Sequence, residues 1–207
     1  MKDFAAIVLA AGSSRRMGKS KLLLDVGGEP MVRRAVTLCQ AAGFSSIIAV
    51  LGHDAAQLAH ALSGVAVQCV HNDHYAQGMS SSLQAGLTAL PAGTQAALIY
   101  LADMPLVTVD DITALCAAYA PAQNRIICVP VHGGRRGNPV LLGQPVFSAL
   151  STLSGDQGAK SFIQAHTHLV AEVSAGPGVL IDLDTPAAYA AFAADTAGMN
   201  IPGSTPP

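Results

Sequence analysis

The sequence predicts a three-layer α/β fold, a mostly parallel sheet with helices on both faces. Three observations carry that expectation. Short apolar runs rich in β-branched residues alternate with helix-like segments from Phe4 to Val131, the rhythm of successive βα units. Glycine or proline marks several of the boundaries. The first run opens into a glycine-containing loop dense in cations, where open α/β sheets keep their ligands. At 207 residues, 51% apolar and 12% charged, the chain suits one domain with a sizeable core.

Each element has its own local reason. Residues 4–11 are an uninterrupted apolar run and read as the first strand. Lys2 before it imitates a secretory leader, but Asp3 intrudes and Arg15-Arg16 follow where small residues would mark cleavage. Residues 32–42 read as a helix that Gly43 is suited to end. Ser46–Leu51 is a β-branched-rich strand, 55–62 a helix and 65–70 another strand. A helix over 80–90 stops before Pro91, and Ala96–Leu101 is a strand, the most apolar of the set. Residues 109–119 complete the helices of this half, and 125–131 its strands.

From residue 132 the rhythm changes. Gly133-Gly134-Arg135-Arg136-Gly137-Asn138-Pro139 reads as a basic, glycine-rich loop leading into Val140-Leu141-Leu142. Residues 168–173 and 178–183 read as strands, and 186–194 as a helix capped by Asp184 or Thr185. The Gly- and Pro-rich stretch 198–207 is expected to be a mobile tail. No linker divides the chain, so a single domain over 1–197 is expected.

Residues Leu9 to Lys21, LAAGSSRRMGKSK, hold the densest chemical signal. Two glycines let the backbone turn closely, and Arg15, Arg16, Lys19 and Lys21 supply four cations. Such a loop can wrap N–H groups and positive charge around a polyphosphate. It is not a Walker A loop, because Gly18-Lys19-Ser20 needs its first glycine at position 13, which is Ser13. Nor is it G-x-G-x-x-G, since Ser14 stands at the second glycine.

The signature that fits is L-A-A-G-x-S-x-R-M-G-x-x-K, at Leu9, Ala10, Ala11, Gly12, Ser14, Arg16, Met17, Gly18 and Lys21. On these residues the chain resembles the nucleotidyltransferases that condense a nucleoside triphosphate with a phosphorylated acceptor. Later motifs extend the likeness. Leu101-Ala102-Asp103-Met104-Pro105 resembles that family's metal-binding A-D-M-P turn. Gly78, Met79, Ser82 and Leu83 resemble its G-M-x-x-S-L turn, and Asp182-Leu183-Asp184-Thr185-Pro186 its D-x-D-T-P motif. The run 134–140 resembles the G-R-R-G-x-P-V segment of molybdenum cofactor cytidylyltransferases, and 155–160 their G-D-x-G-A-R. Two positions depart: Asn138 replaces the usual histidine and Lys160 the usual arginine. Lysine cannot make arginine's bidentate phosphate contact. The resemblance, to the MobA-like NTP transferase family, runs from Phe4 to about Ala194. It implies a Rossmann-like sandwich of the nucleotide-diphospho-sugar transferase type. It also implies a nucleotide-binding half over about 1–131 and an acceptor-binding part over about 132–197.

The activity so implied is transfer of CMP from CTP to molybdopterin cofactor, giving the cytosine dinucleotide form and pyrophosphate. Magnesium is the implied cofactor, and a molybdoenzyme the implied recipient of the product. Ala11 is the clue to cytosine, since guanylyl members carry L-A-G-G and a methyl there narrows the space facing the base. One methyl is worth about 1–3 kcal/mol of selectivity. The nucleotide is expected on Leu9, Ala10, Ala11, Gly12, Ser13, Ser14, Arg16, Lys21, Asn72, Gly78, Met79, Ser80, Ser82 and Asp103. Arg16 and Lys21 are the expected triphosphate clamps and, with Asp103, the expected catalytic set.

A carboxylate closing the most apolar strand is expensive to desolvate without a cation, so Asp103 is expected to bind metal. Its partner is Asp182 or Asp184, which share one face of an extended chain. The acceptor is expected on Arg136, Gly137, Asn138, Asp156 and Lys160. Alternative readings are a guanylyl, other cytidylyl or sugar-phosphate nucleotidyltransferase, and a protein that holds the pterin cofactor without transfer. A mere carrier has little use for paired carboxylates.

Other classes are disfavoured. A net charge of −2 gives no basic face for nucleic acid. No run reaches the ~18 apolar residues of a membrane span. The four scattered cysteines suit reduced thiols in a cytoplasm better than disulfides or zinc. His166 and His168 lack a third ligand nearby and read as ordinary histidines.

Overall fold

The computed structural model of the protein describes residues 3–12, 20–155, 158–184, 189–190 and 192. Strands β1 (Phe4–Ala10), β2 (Ser46–Leu51), β3 (Gln68–His71) and β4 (Ala96–Leu101) form a parallel block. Their order is β3-β2-β1-β4. The continuous apolar runs are explained by burial on both faces. Ala6, Val8, Leu98 and Tyr100 pack with α1 (Met31–Ala41) and α4 (Val109–Ala118) on one face. Ile7, Ile48, Val50 and Ile99 pack with α3 (Met79–Thr88) on the other. The short helix α2 (Ala55–Ala61) follows β2. At the start of α4 the Thr108 hydroxyl accepts from Asp111 N–H while the Asp111 carboxylate accepts from Thr108 N–H. That reciprocal cap anchors the helix directly after the β4 turn.

The second half completes the sheet with β5 (Ile127–His132), β6 (Arg135–Arg136), β7 (Val140–Gly143) and β8 (Val170–Ser174). β7 runs antiparallel between β4 and β5, and β8 pairs with β5 in parallel. The sheet is therefore mostly parallel, with β7 inserted antiparallel and the short β6 antiparallel at its edge. A turn at Gly133 and Gly134, both at positive φ, folds β6 back onto β5. What reads in sequence as a basic loop is in part a hairpin. Two short helices, α5 (Phe147–Leu150) and α6 (Lys160–Ala165), cover this end.

One expected strand is absent. Pro177–Leu180 is a 3-10 turn, and 181–184 continue without pairing into the sheet. Gly178 is pressed so closely to the Leu106 carbonyl that a Cβ would lie 2.1 Å from that oxygen. The segment's N–H groups go to single carbonyls, Ile181 to Gly178 and Leu183 to Asp103, rather than to a ladder. The strand expected over 65–70 begins only at Gln68, because Val65 N–H is used in a turn to Leu62. Of the helix expected over 186–194, residues 189, 190 and 192 are helical and the others lie outside the described residues, as does the expected tail.

Among the described residues no helix is long and apolar enough to cross a membrane. All four cysteines are free. Burial pushes the Cys116 thiol up to about 12 and the Cys128 thiol up to about 11, which keeps both protonated and unreactive at neutral pH.

Candidate active site at the strand ends

Three segments distant in sequence converge beyond the carboxyl ends of β1 and β4. Lys21 opens a 3-10 turn (Lys21–Leu23) on the far side of the first loop. Its ammonium donates to Asp103 Oδ2 at 2.6 Å and also contacts Asp184 Oδ1. Burial pushes the Lys21 pKa down, but the charges and hydrogen bonds of Asp103 and Asp184 outweigh it, and the net shift is upward. Lys21 is therefore a fixed positive charge at any physiological pH. The cation expected to clamp triphosphate is here held by the carboxylates expected to hold metal.

Asp103 sits in the turn after β4, tied to the neighbouring strand by Ala102 N–H to Leu9 O at 3.1 Å. Leu183 N–H donates to the Asp103 carbonyl at 3.0 Å, which brings Asp184 alongside. Gly176 N–H donates to Asp111 Oδ1 at 2.9 Å and fixes the other end of that late segment. The turn itself is braced from beneath, Tyr100 Oη donating to the Met104 carbonyl and Arg34 Nε to the Pro105 carbonyl.

The arrangement fits a divalent cation in one specific respect. Asp103 Oδ1 is buried without a hydrogen-bond partner, an acceptor that only a cation or a donor from outside can satisfy. With Asp184 it offers two carboxylates, the number magnesium takes while keeping water and phosphate as its other ligands. Among the described residues no group of three or more His, Cys, Asp or Glu is placed to hold a metal. Asp182 is exposed, and partial burial with the charges of Asp184 and Asp103 raises its pKa.

The other expected residues fall into several groups. Leu9 and Ala10 end β1, and Gly12 stands exposed just beyond, with open space where a Cβ would project. Ala11 is buried, and a Cβ placed on Gly52 would come within 2.9 Å of its methyl. That methyl belongs to the packing under the loop rather than to an open wall. Ser13, Ser14 and Arg16 lie outside the described residues, as does Asp156.

Asn72 and Ser82 are buried and bonded to each other, Asn72 Nδ2 reaching Ser82 Oγ and Ser81 Oγ at 3.0 Å each. They shape the turn in front of α3. Gly78 takes φ 108° there, a backbone only glycine adopts easily. Ser80 is buried with its hydroxyl unpaired, while Met79 is exposed and lies over Gly158.

Beside this ledge lies a cavity of about 480 Å³. Its floor is apolar, with Leu9, Leu83, Ile99 and Val140, and its polar side carries Arg136, Asn138 and Lys160. Gly137 admits the hairpin here by packing on the Val179 carbonyl, where a Cβ would lie 2.2 Å from the oxygen. Arg136 Nε is held by Glu172 Oε1 at 2.8 Å. Four residues with parts in this architecture escaped the sequence reading: Arg34, Tyr100, Asp111 and Glu172. For Arg34 a signal existed, a cation on the same helix face as Met31, Ala35 and Leu38.

Comparison with known proteins fits this geometry. Molybdenum cofactor cytidylyltransferase of Escherichia coli K12 is 26% identical over 191 residues, 90% of this chain and 93% of that protein. Nicotine blue oxidoreductase of Paenarthrobacter nicotinovorans is 28% identical over 170 residues, 79% of this chain and 83% of that protein. Among solved structures, Rv0371c of Mycobacterium tuberculosis H37Rv in complex with manganese superposes with a TM-score of 0.76 at 25% identity. That match covers 92% of this chain and 98% of the other. The profile of the MobA-like NTP transferase domain matches residues 6–170. The chain with the Lys21–Asp103–Asp184 cluster at its strand ends belongs to the MobA-like NTP transferase family and is a nucleotidyltransferase.

Proposed function

We propose that this nucleotidyltransferase transfers CMP from CTP to molybdopterin cofactor, with release of pyrophosphate. The observation that carries the reading is the Lys21–Asp103–Asp184 cluster beside a cavity whose polar side is Arg136, Asn138 and Lys160. One place suits a triphosphate and its cation; the other suits an anionic, partly apolar acceptor such as a phosphorylated pterin. The identity with the E. coli cytidylyltransferase, which extends over nearly both chains, supports that acceptor.

In this reading the acceptor's phosphate oxygen attacks the α-phosphorus of CTP. A new P–O bond forms as the bond to the bridging oxygen breaks, and pyrophosphate leaves with that electron pair. No protein nucleophile is required, so the chain's work is positioning and charge stabilisation. Lys21, with Arg16, balances the triphosphate charge. Asp103 and Asp184 would hold a divalent cation, magnesium in our reading, which when bound neutralises charge on the α-phosphate and leaving group. Asp182, exposed and outside the Lys21 cluster, is the lesser candidate ligand. The backbone from Leu9 to Ser14 and the ledge from Asn72 to Ser82 would seat the nucleotide. Arg136, Gly137, Asn138, Asp156 and Lys160 would seat the pterin. The nucleotide-binding part is then about 1–131 and the acceptor part about 132–197. The four free thiols suit a cytoplasmic enzyme.

The test is pyrophosphate release by the purified protein with molybdopterin cofactor and magnesium. CTP is expected to support it far better than GTP or ATP. A preference for GTP overturns the base assignment, and cofactor binding with no triphosphate turned over favours a carrier.

A further inference from the structure

Three consecutive carbonyls around the catalytic carboxylate are each taken by a donor from a different part of the chain. Asp103 O accepts from Leu183 N–H at 3.0 Å. Met104 O accepts from the Tyr100 phenol at 2.9 Å. Pro105 O accepts from Arg34 Nε at 3.2 Å. The two side chains are costly to use. Tyr100 is 1% exposed and Arg34 4% exposed, and an arginine is rarely buried that deeply without a purpose for its charge. Apolar residues at either place would fill the core, so packing alone does not account for the choice.

Arg34 does more than reach one carbonyl. It belongs to the first turn of α1, whose leading residue, Met31, donates N–H to Leu24 O at 3.0 Å. Leu24 in turn donates N–H to Lys21 O at 3.1 Å. A chain of direct bonds thus runs from the backbone of Lys21 through α1 to the turn bearing Asp103. The cationic and anionic sides of the cluster are set by one rigid element.

We propose that Arg34 and Tyr100 are positioning residues of the nucleotidyl-transfer site. They fix the Asp103 carboxylate relative to Lys21 by holding the carbonyls that follow it. The proposal deepens the reading of Asp103 as a metal and phosphate residue and rests on it. Both side chains are buried beneath the turn and reach backbone carbonyls. Their effect acts through Asp103, which distinguishes them from Lys21.

The experiment compares Tyr100→Phe, Arg34→Met and Arg34→Lys with the parent protein by three readouts, all well below the melting temperature. Crystal structures report where the Asp103 turn sits relative to Lys21. Mn²⁺ titration followed by electron paramagnetic resonance reports the affinity of the carboxylates for metal alone. Pyrophosphate release separates kcat from KM for CTP. Tyr100→Phe and Arg34→Met are expected to shift the turn and to weaken Mn²⁺ binding and kcat by about tenfold each, with KM for CTP nearly unchanged. Arg34→Lys, which keeps a donor near the Pro105 carbonyl, is expected to restore most of both. Variants that merely melt earlier, with the turn, the Mn²⁺ affinity and kcat unchanged, overturn the proposal. Should Arg34→Met fail to fold, Tyr100→Phe decides alone. A parent protein that binds no Mn²⁺ refutes the metal reading instead, and the position of the turn then decides the brace.

Discussion

The two halves of the molecule are built to different standards. In the first, β1, β2 and β4 are buried on both faces, and the acid turn after β4 is fixed by bonds from three directions. In the second, the β5–β6 tip is exposed, β8 is half-buried, and Arg136 is held by one ion pair with an exposed glutamate. Rigidity is concentrated where charge must be met within a fraction of an ångström. The cavity between Leu9, Leu83, Ile99 and Val140 on its floor and Arg136, Asn138 and Lys160 on its polar side has few fixed polar groups, which suits the bulky acceptor we propose. Changes at the Lys21–Asp103–Asp184 cluster should therefore appear in kcat, and changes around Arg136 in KM for the acceptor we propose.

The largest expected effect tests that division directly. Asp103→Ala is expected to lower kcat by roughly 10²–10³-fold or more while the circular dichroism spectrum and melting curve stay close to the parent's. Retained turnover would remove the carboxylate from the chemistry. Next comes the seam between the halves. Gly178→Ala places a methyl 2.1 Å from the Leu106 carbonyl, which should cost about 1–3 kcal/mol in urea unfolding and loosen Asp184 as well. An unchanged midpoint would show that the late segment is not locked to the β4 turn.

A smaller effect is expected from Arg136→Ala. Its ion pair is exposed, so stability should change by less than about 0.5 kcal/mol, while KM for the acceptor rises roughly tenfold. A fall in kcat with KM unmoved would blur the proposed boundary between the halves.

The smallest effect concerns Asp182, whose folded pKa lies above its ordinary value through burial and the charges of Asp184 and Asp103. A raised carboxylate pKa means that the native state binds the proton more tightly than the unfolded chain does. Its ionised form is therefore mildly destabilising at neutral pH, and that penalty fades as pH falls through the folded pKa. Asp182→Asn should raise Tm by about a degree or less at pH 7, with the gain vanishing in acid. A lowered Tm at pH 7 would reverse the sign assigned to this carboxylate.

The first half was largely legible in sequence because its information is local. The run ending at Gly12, the strand Ala96–Leu101 and the capped helix after Asp103 each announce themselves within a dozen residues or so. The resemblance and the strand-end positions pointed to Lys21, Asp103 and one of Asp182 and Asp184, and Lys21, Asp103 and Asp184 do meet. The misses share a cause in long-range contact. Nothing near Val140 says that β7 will run antiparallel between β4 and β5. The apolar run after Gly178 reads as a strand, but its backbone finds single carbonyls in place of a ladder. The bond between Asn72 and Ser82, which shapes the turn before α3, likewise joins positions that neither announces alone. Arg34 and Tyr100 act on carbonyls, which carry no side-chain signature.

Lys21 and Asp184 are 163 positions apart, yet they share one contact. During synthesis β1 to β4 and the turn of Asp103 leave the ribosome well before the segment that carries Asp184. The opposing carboxylate arrives only after residue 184 has left the exit tunnel. A nascent chain can therefore carry every described strand of the sheet, the last ending at Ser174, and still lack the Asp184 contact to Lys21.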